Sequence, residues 1–168
     1  MKKVLATLVS WCVVSGLIIA AIVLALPSAT AYAAGPAEGG VVLENLFMRE
    51  KIILNNQQER LNLSQQAVTR AQTWINNLQG QGKDVSALQT ALNAFQASLA
   101  QVQGNFNTAQ NTLNTHTGFD GNGKVADTAQ AWQTLIQAGQ AERQFHLTIT
   151  QATINFRLAA RQYLQNNQ

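Results

Sequence analysis

Residues 85–113 read VSALQTALNAFQASLAQVQGNFNTAQNTL, and this stretch carries the clearest structural signal in the chain. Its apolar residues alternate three and four positions apart without a gap: Val85, Leu88, Leu92, Phe95, Leu99, Val102, Phe106, Ala109 and Leu113. An α-helix completes a turn in about 3.6 residues, so this spacing places the whole set on one side of a helix. The pattern predicts an amphipathic helix over residues 84–116 that buries this stripe. Gly104 lies within it, and we expect this glycine to permit a close approach of a neighbouring helix.

The segments on either side have a related periodicity. Before it, in a helix predicted over residues 42–78, Phe47, Leu54, Leu61, Val68 and Ile75 recur every seven positions. After it, over residues 125–164, the predicted stripe comprises Ala131, Leu135, Ala138, Glu142, Phe145, Ile149, Ala152, Phe156, Ala159 and Tyr163. Four further residues widen the apolar face of this last helix: Trp132, Leu147, Ile154 and Leu158. Glycine-containing breaks at residues 80–83 and 117–124 separate the three segments.

Three amphipathic helices joined by short links bury their stripes against one another, and short links favour antiparallel neighbours. The sequence therefore predicts an all-α fold, an elongated antiparallel up-down-up three-helix bundle with the side-chain packing of coiled coils. At 1.5 Å per residue, helices of this size give a rod about 50 Å long. No stretch has the alternating pattern of a strand.

The N-terminus has the features of an export segment. Lys2 and Lys3 precede an apolar run over residues 4–26, and Ala31-Tyr32-Ala33 offers a cleavage site for signal peptidase. The run is also long enough to span a bilayer, so residues 1–33 are interpreted as a signal peptide or a retained anchor. Both interpretations place the rest of the chain outside the cytoplasm. Residues 34–40 are expected to be a flexible linker, and residues 41–168 the helical bundle domain.

Composition excludes several functions. Two of the three net positive charges come from Lys2 and Lys3, and the remainder has no cationic run, which argues against a nucleic-acid partner. Cys12, the single cysteine, lies inside the apolar run after the bulky Trp11, so neither a lipoprotein nor a disulfide is expected. No Ser-His-Asp set and no phosphate-binding glycine loop is visible. The chain is therefore expected to be no enzyme and to need no cofactor.

The second break contains Asp120-Gly121-Asn122-Gly123-Lys124, which invites comparison with a calcium loop. The pattern fails, because Lys124 occupies a ligand position and no glutamate follows at the twelfth place. A structural role is favoured: Phe119 closes the core, and Asp127 caps the third helix as Asp84 or Ser86 caps the second. His116 and Asp120 remain weak candidates for a metal site, and His116 is expected to hydrogen-bond a carboxylate, Glu44 or Glu50.

Glu142 falls on the stripe of the third helix, where a lone carboxylate is costly to bury. We expect Glu142 at the level of Leu99 on the second helix and Gln65 on the first. Gln65 or Arg70 is expected to form a hydrogen bond or ion pair with its carboxylate. No second acid or histidine is expected at that level. A polar residue in such a seam often fixes the register of the helices, and the functional alternative is a raised pKa and proton chemistry.

Two parts of the chain carry a recognisable pattern. The first is the block Gly82-Lys83-Asp84-Val85-Ser86-Ala87-Leu88 followed by Phe95, and the second is His116-x-Gly118-Phe119-Asp120-x-x-Gly123-x-Val125-x-Asp127. Together they resemble a group of uncharacterised exported helical proteins of bacteria. The resemblance covers about residues 57–164, and it implies a helical fold and export but no activity. A looser likeness in architecture is to periplasmic helical chaperones of the Spy type, whose characteristic motif this chain lacks.

Three functions follow as expectations. The first is a non-catalytic secreted or envelope-associated protein, a binding or structural module that associates with an unknown protein partner or with itself. Such a protein would contact a membrane only through residues 4–26, if these are uncleaved. The second is a chaperone-like or ligand-sequestering protein of the periplasm. The third is a metal-binding protein that uses His116 and Asp120. Of Trp74 and Trp132, at least one is expected in the core, and an exposed one would be a contact point for a partner.

Overall fold

The computed structural model describes residues 36–167, which form three helices. They are α1 (Pro36–Gly80), α2 (Ser86–Thr115) and α3 (Thr128–Asn166), and each packs against the other two. Within residues 36–167 the only strand-like pairing is an isolated antiparallel bridge between Phe119 and Val125. The predicted all-helical fold with three helices is therefore confirmed. The predicted signal or anchor, residues 1–33, lies outside the described residues.

The helix boundaries match the sequence closely for α2 and less well for α1. Helix α1 begins at Pro36, so residues 36–40 of the expected linker are helical. Proline suits the first turn of a helix, because its missing N–H has no partner there in any case. At the other end, Gly82 has a φ of 74°, and the N–H of Lys83 donates to the carbonyl of Leu78 at 3.1 Å. This left-handed glycine ends the helix after Gly80.

The core consists of the predicted stripes of α1 and α2 and part of that of α3. All of the predicted α2 stripe is buried, from Val85 to Leu113. On α1, Phe47, Leu54, Leu61 and Ile75 are buried, and Val68 is partly buried. Outside the apolar core, the side-chain amides of Gln72 on α1 and Gln89 on α2 exchange two hydrogen bonds of 3.0 and 3.2 Å. This contact joins the two helices without any charge.

Helix α3 presents two apolar faces rather than one widened face. Its buried face includes four alanines, Ala131, Ala138, Ala141 and Ala152, among larger residues. The four residues expected to widen the apolar face are instead about half exposed, at 50% for Trp132, 51% for Leu147, 46% for Ile154 and 54% for Leu158. At 100° per residue they lie on the side of α3 opposite the core. Within residues 36–167, α3 has two neighbouring helices, and neither covers that side.

Ion pairs and hydrogen bonds show the relative direction of α1 and α3. Near the start of α1, Glu44 contacts Lys124, just before α3, at 2.7 Å. Further along both helices, Arg60 donates to the hydroxyl of Thr150 at 3.0 Å. Since both residue numbers increase together, α1 and α3 run in the same direction.

Candidate functional site

The link between α2 and α3 forms a compact cap over one end of the core. The ring of Phe119 stacks on that of Phe47 with centroids 4.2 Å apart, which closes the core as expected from the sequence. Gly118 has a φ of 87°, and a Cβ at this position would overlap the backbone of Ala131. The close approach that the sequence assigned to Gly104 therefore occurs at Gly118. A Cβ on Gly104 would meet no atom within 4 Å.

Asp120 uses its carboxylate inside this link. Its Oδ1 accepts hydrogen bonds of 2.8 Å from the backbone N–H groups of Asn122 and Lys124. These hydrogen bonds, that of Lys124 first, hold the pKa of Asp120 below its usual value. The arrangement stabilises a turn, as Asp-Gly sequences commonly do. Within residues 36–167, no group of three or more His, Cys, Asp or Glu side chains is placed to hold a metal ion.

His116 does not bond the carboxylates proposed for it. It is the C-cap residue of α2 with a φ of 42°, and its Nδ1 lies 2.8 Å from the carbonyl oxygen of Asn114. Glu44, the expected partner, instead accepts from the Nζ of Lys124 at 2.7 Å and from the N–H of Val125 at 3.2 Å. The expectation is wrong because the left-handed backbone at His116 turns its ring back toward its own helix.

The two expected capping residues occupy different positions. Asp127 is the N-cap residue of α3, and its carboxylate accepts from the N–H of Gln130 at 3.0 Å. Asp84 lies one residue before the N-cap of α2, which is Val85, and accepts from the N–H of Ser86 at 3.0 Å. The hydrogen bonds from Ser86 hold the pKa of Asp84 below its usual value.

A polar seam runs between α1 and α3, formed by Glu50, Gln57, Arg60, Glu142, His146 and Thr150. Glu142 is 5% exposed and Gln57 is 8% exposed. The Nε2 of Gln57 donates to the backbone carbonyl of Glu142 at 3.2 Å, while the Oε1 atoms of both residues are buried without a hydrogen bond. The partner of Glu142 on α1 is therefore Gln57. The sequence had suggested Gln65 or Arg70, which lie eight and thirteen residues further along the same helix.

Glu142 also has a second acid beside it, which the sequence did not indicate. Burial raises the pKa of Glu142 to about 10, and the hydrogen bond and negative charge of Glu50 add to this effect, against the opposing charge of Arg49. A carboxyl with such a pKa is protonated at neutral pH and can donate a hydrogen bond. The seam therefore contains a neutral carboxylic acid rather than a buried anion.

One turn further along the seam, His146 faces Arg60. The Nη1 of Arg60 lies 3.1 Å from the Nδ1 of His146, a geometry that suits a neutral imidazole accepting a hydrogen bond. Burial, and then the charge of Arg60, lower the pKa of His146. Nothing comparable occurs on α2, because none of its residues from Ser86 to Thr115 has an ionisable side chain. The buried polar chemistry thus lies on the α1–α3 side of the bundle.

The outer face of α3 is the second notable surface. We define the α3 outer face as Trp132, Arg143, Leu147, Ile154, Leu158 and Arg161. Arg143 and Arg161 are exposed, and the single acid of α3, Glu142, is buried on the other side. This surface therefore combines large apolar side chains with positive charge. Trp74, by contrast, is partly buried, and its ring packs edge-on against Tyr163 with centroids 5.9 Å apart.

Helix α1 also exposes apolar side chains, in a different chemical setting. Val41, Met48, Ile52 and Leu63 are each more than half exposed. The acid Glu59 lies on the same side of the helix, as its spacing of seven from Ile52 requires. Arg70, seven positions after Leu63, is exposed and lies on this side as well. The outer face of α1 is therefore apolar but, unlike that of α3, carries an acid as well as a cation.

A shallow open groove lies between the end of α2 and the start of α3. Neutral polar residues line most of it, among them Asn111, Thr115, Gln133 and Gln137. The hydroxyl of Thr134 in this groove donates to the carbonyl of Thr117 at 2.7 Å and so supports the link. No charged or nucleophilic set converges there, so the groove offers no evident chemistry.

No helix within residues 36–167 has the length and hydrophobicity needed to cross a membrane. Comparison with family models, with curated proteins and with solved structures finds no match to the chain.

Proposed function

We propose that this chain is a non-catalytic exported protein, an up-down-up helical bundle behind an N-terminal signal or anchor, that binds a partner through the α3 outer face. The observation that carries the proposal is the alignment of four half-exposed apolar side chains, Trp132, Leu147, Ile154 and Leu158, on the side of α3 away from the core. Single exposed apolar residues are normal, whereas an aligned set marks an interaction surface.

The length of the stripe supports a binding role. Trp132 and Leu158 are separated by twenty-six positions, which corresponds to about 39 Å along a helix. Trp132 at one end is the kind of residue that carries much of the free energy of association in interfaces. The polar seam is better suited to a structural role, because Glu142 is buried between the helices and Glu50 is partly buried beside it.

The proposal is tested by site-specific photo-crosslinking in the producing cell. A photoreactive residue at position 154 should give adducts that disappear when Leu147 and Leu158 are both replaced by Gln. The same probe at position 52, on the equally exposed outer face of α1, serves as the matched control. Equal labelling from both positions, or labelling from 154 that survives the two substitutions, would contradict a binding role for α3.

A further inference from the structure

We propose that the partner of the α3 outer face is the surface of an anionic phospholipid membrane. This inference rests on the proposed function and names the partner class. The helix would lie in the plane of the interface, with its outer apolar residues among the acyl chains and its arginines at the phosphate level. The sequence alone predicted membrane contact only through residues 4–26, because it did not show that the second apolar face of α3 is exposed.

The charge of the surface selects an anionic partner. Glu142, the one acidic residue of α3, is buried among the core residues, so no acidic side chain lies on the exposed side of this helix. Arg143 and Arg161 are exposed and lie close to the apolar stripe. Cationic residues beside an apolar surface are attracted to anionic headgroups, which concentrate negative charge in a plane.

The arrangement around the helix fits an interface rather than a pocket. With 100° per residue, Leu147, Ile154 and Leu158 lie within about 40° of one another around the axis of α3. Arg143 and Arg161 lie at one angle around the axis, beside these residues and toward Trp132, and are about 27 Å apart along the helix. Long arginine side chains can extend from such a position to the headgroups while their stems remain apolar. Trp132 suits the boundary between headgroups and acyl chains, where indole rings are enriched.

A second copy of the chain fits this face less well. In a symmetric dimer the same surface meets itself. Two α3 outer faces would then bring Arg143 and Arg161 against the arginines of the other copy, with no exposed acid on α3 to compensate. Like charges at an interface disfavour association, whereas an anionic lipid surface neutralises them.

The experiment uses residues 34–168, which removes the apolar run that would itself enter a bilayer. The described part of this fragment, residues 36–167, lies within one compact unit and contains every core residue that the structure describes as buried. The fragment is therefore expected to fold on its own. Circular dichroism of each variant confirms that the helices are retained. Binding is measured by co-sedimentation with vesicles of phosphatidylcholine alone or of phosphatidylcholine mixed with phosphatidylglycerol.

The expected result is binding that requires phosphatidylglycerol and weakens with added salt. In a Trp74→Phe background, the emission of Trp132 should shift to shorter wavelength on binding, because its exposed ring enters an apolar layer. Replacement of Leu147, Ile154 and Leu158 by Gln should abolish binding. Replacement of Arg143 and Arg161 by Gln should weaken it by about tenfold or more, given roughly 1 kcal/mol for each cation near such a surface. Replacement of Met48, Ile52 and Leu63 by Gln, three equally exposed apolar residues on α1, should leave it unchanged.

Three outcomes would overturn the lipid proposal. They are no binding to either vesicle, equal binding to both, or a dimer by light scattering that the α3 variant dissociates. The crosslinking experiment then separates the two proposals. Adducts to protein from position 154 would keep the binding role and replace its partner, whereas no α3-dependent adduct would overturn both.

Discussion

Gln57 and Glu142 are joined across α1 and α3 by a 3.2 Å hydrogen bond from the Gln57 Nε2 to the Glu142 carbonyl, and both of their side-chain Oε1 atoms are buried without a partner. This contact fixes the level at which the two helices meet. It also places the Glu142 carboxyl beside Glu50, where its ionisation is disfavoured. The pairing therefore links the register of the bundle to the protonation of one buried acid.

The first prediction concerns the stability of the fold as a function of pH. The pKa of Glu142 is raised from 4.5 to about 10, so the folded state binds a proton that the unfolded state has released. The contribution of Glu142 to the free energy of unfolding is therefore highest below pH 4.5 and decreases as the pH rises toward about 10. Glu142→Gln should remove this dependence and raise the free energy of unfolding at neutral pH by on the order of 3 kcal/mol.

Urea denaturation of residues 34–168 across that pH range measures the effect. Glu59→Gln is the control, because Glu59 is exposed on the outer face of α1. The groups that face Glu142 are Glu50 and Arg49 on α1, while α2 contributes no ionisable side chain. A Glu142→Gln variant with an unchanged slope of stability against pH would show that this carboxyl ionises freely in the folded state.

The second prediction contrasts two glycines. Gly118→Ala should destabilise the fold by about 2 kcal/mol or more, because the position has a φ of 87° and a Cβ would overlap the backbone of Ala131. Gly104→Ala should instead stabilise it by about 1 kcal/mol, since alanine favours a helix and nothing lies within 4 Å of the added Cβ. Thermal or chemical unfolding of both variants checks the pair. Equal changes at the two positions would contradict the geometry described for the link.

The third prediction contrasts a buried and an exposed aromatic residue. Phe119→Ala should cost about 3–5 kcal/mol, because the ring is 6% exposed and stacks on Phe47 at the end of the core. Trp132→Ala should change the free energy of unfolding by far less, because half of this side chain is already in water. Chemical denaturation followed by circular dichroism compares them. A large loss of stability in the Trp132 variant would mean that this ring belongs to the core.

The fourth prediction concerns the polar seam at His146. Burial and the charge of Arg60 lower the pKa of this imidazole, so the folded state disfavours its protonation. Arg60→Leu should therefore raise the pKa of His146, as followed by the NMR titration of its ring protons. Arg70→Leu, which changes an exposed arginine elsewhere on α1, is the matched control. A His146 pKa that is equal in both variants would remove Arg60 as a cause of the shift.

The sequence predicted the three helices well because their apolar spacing is regular. Every position of the α2 stripe is buried, since no other side of that helix is apolar. Register was less predictable: Gln57, rather than Gln65, meets Glu142. Periodicity specifies which side of a helix is apolar, but the axial offset between helices depends on how the links fold. The second acid, Glu50, was missed for the same reason.

The two faces of α3 were not distinguishable from periodicity alone. Both carry large apolar residues at helical spacing: Phe145 and Ile149 are buried, whereas Leu147 and Ile154 are exposed. The buried face is rich in alanine, whose small volume lets neighbouring helices approach closely. The alanine spacing was visible in the sequence and is the signal that could have separated the faces. The contrast between Gly104 and Gly118 required the folded link, because only Gly118 lies against another backbone.

The absence of ionisable side chains from Ser86 to Thr115 has a mechanical consequence. When alkali creates a negative charge at Glu142, the repulsion from Glu50 acts across the contact between α1 and α3 and spares the hairpin of α2 and α3. Opening of the molecule in alkaline medium should thus begin with separation of α1 from α3, because the contact between α2 and α3 gains no such repulsion.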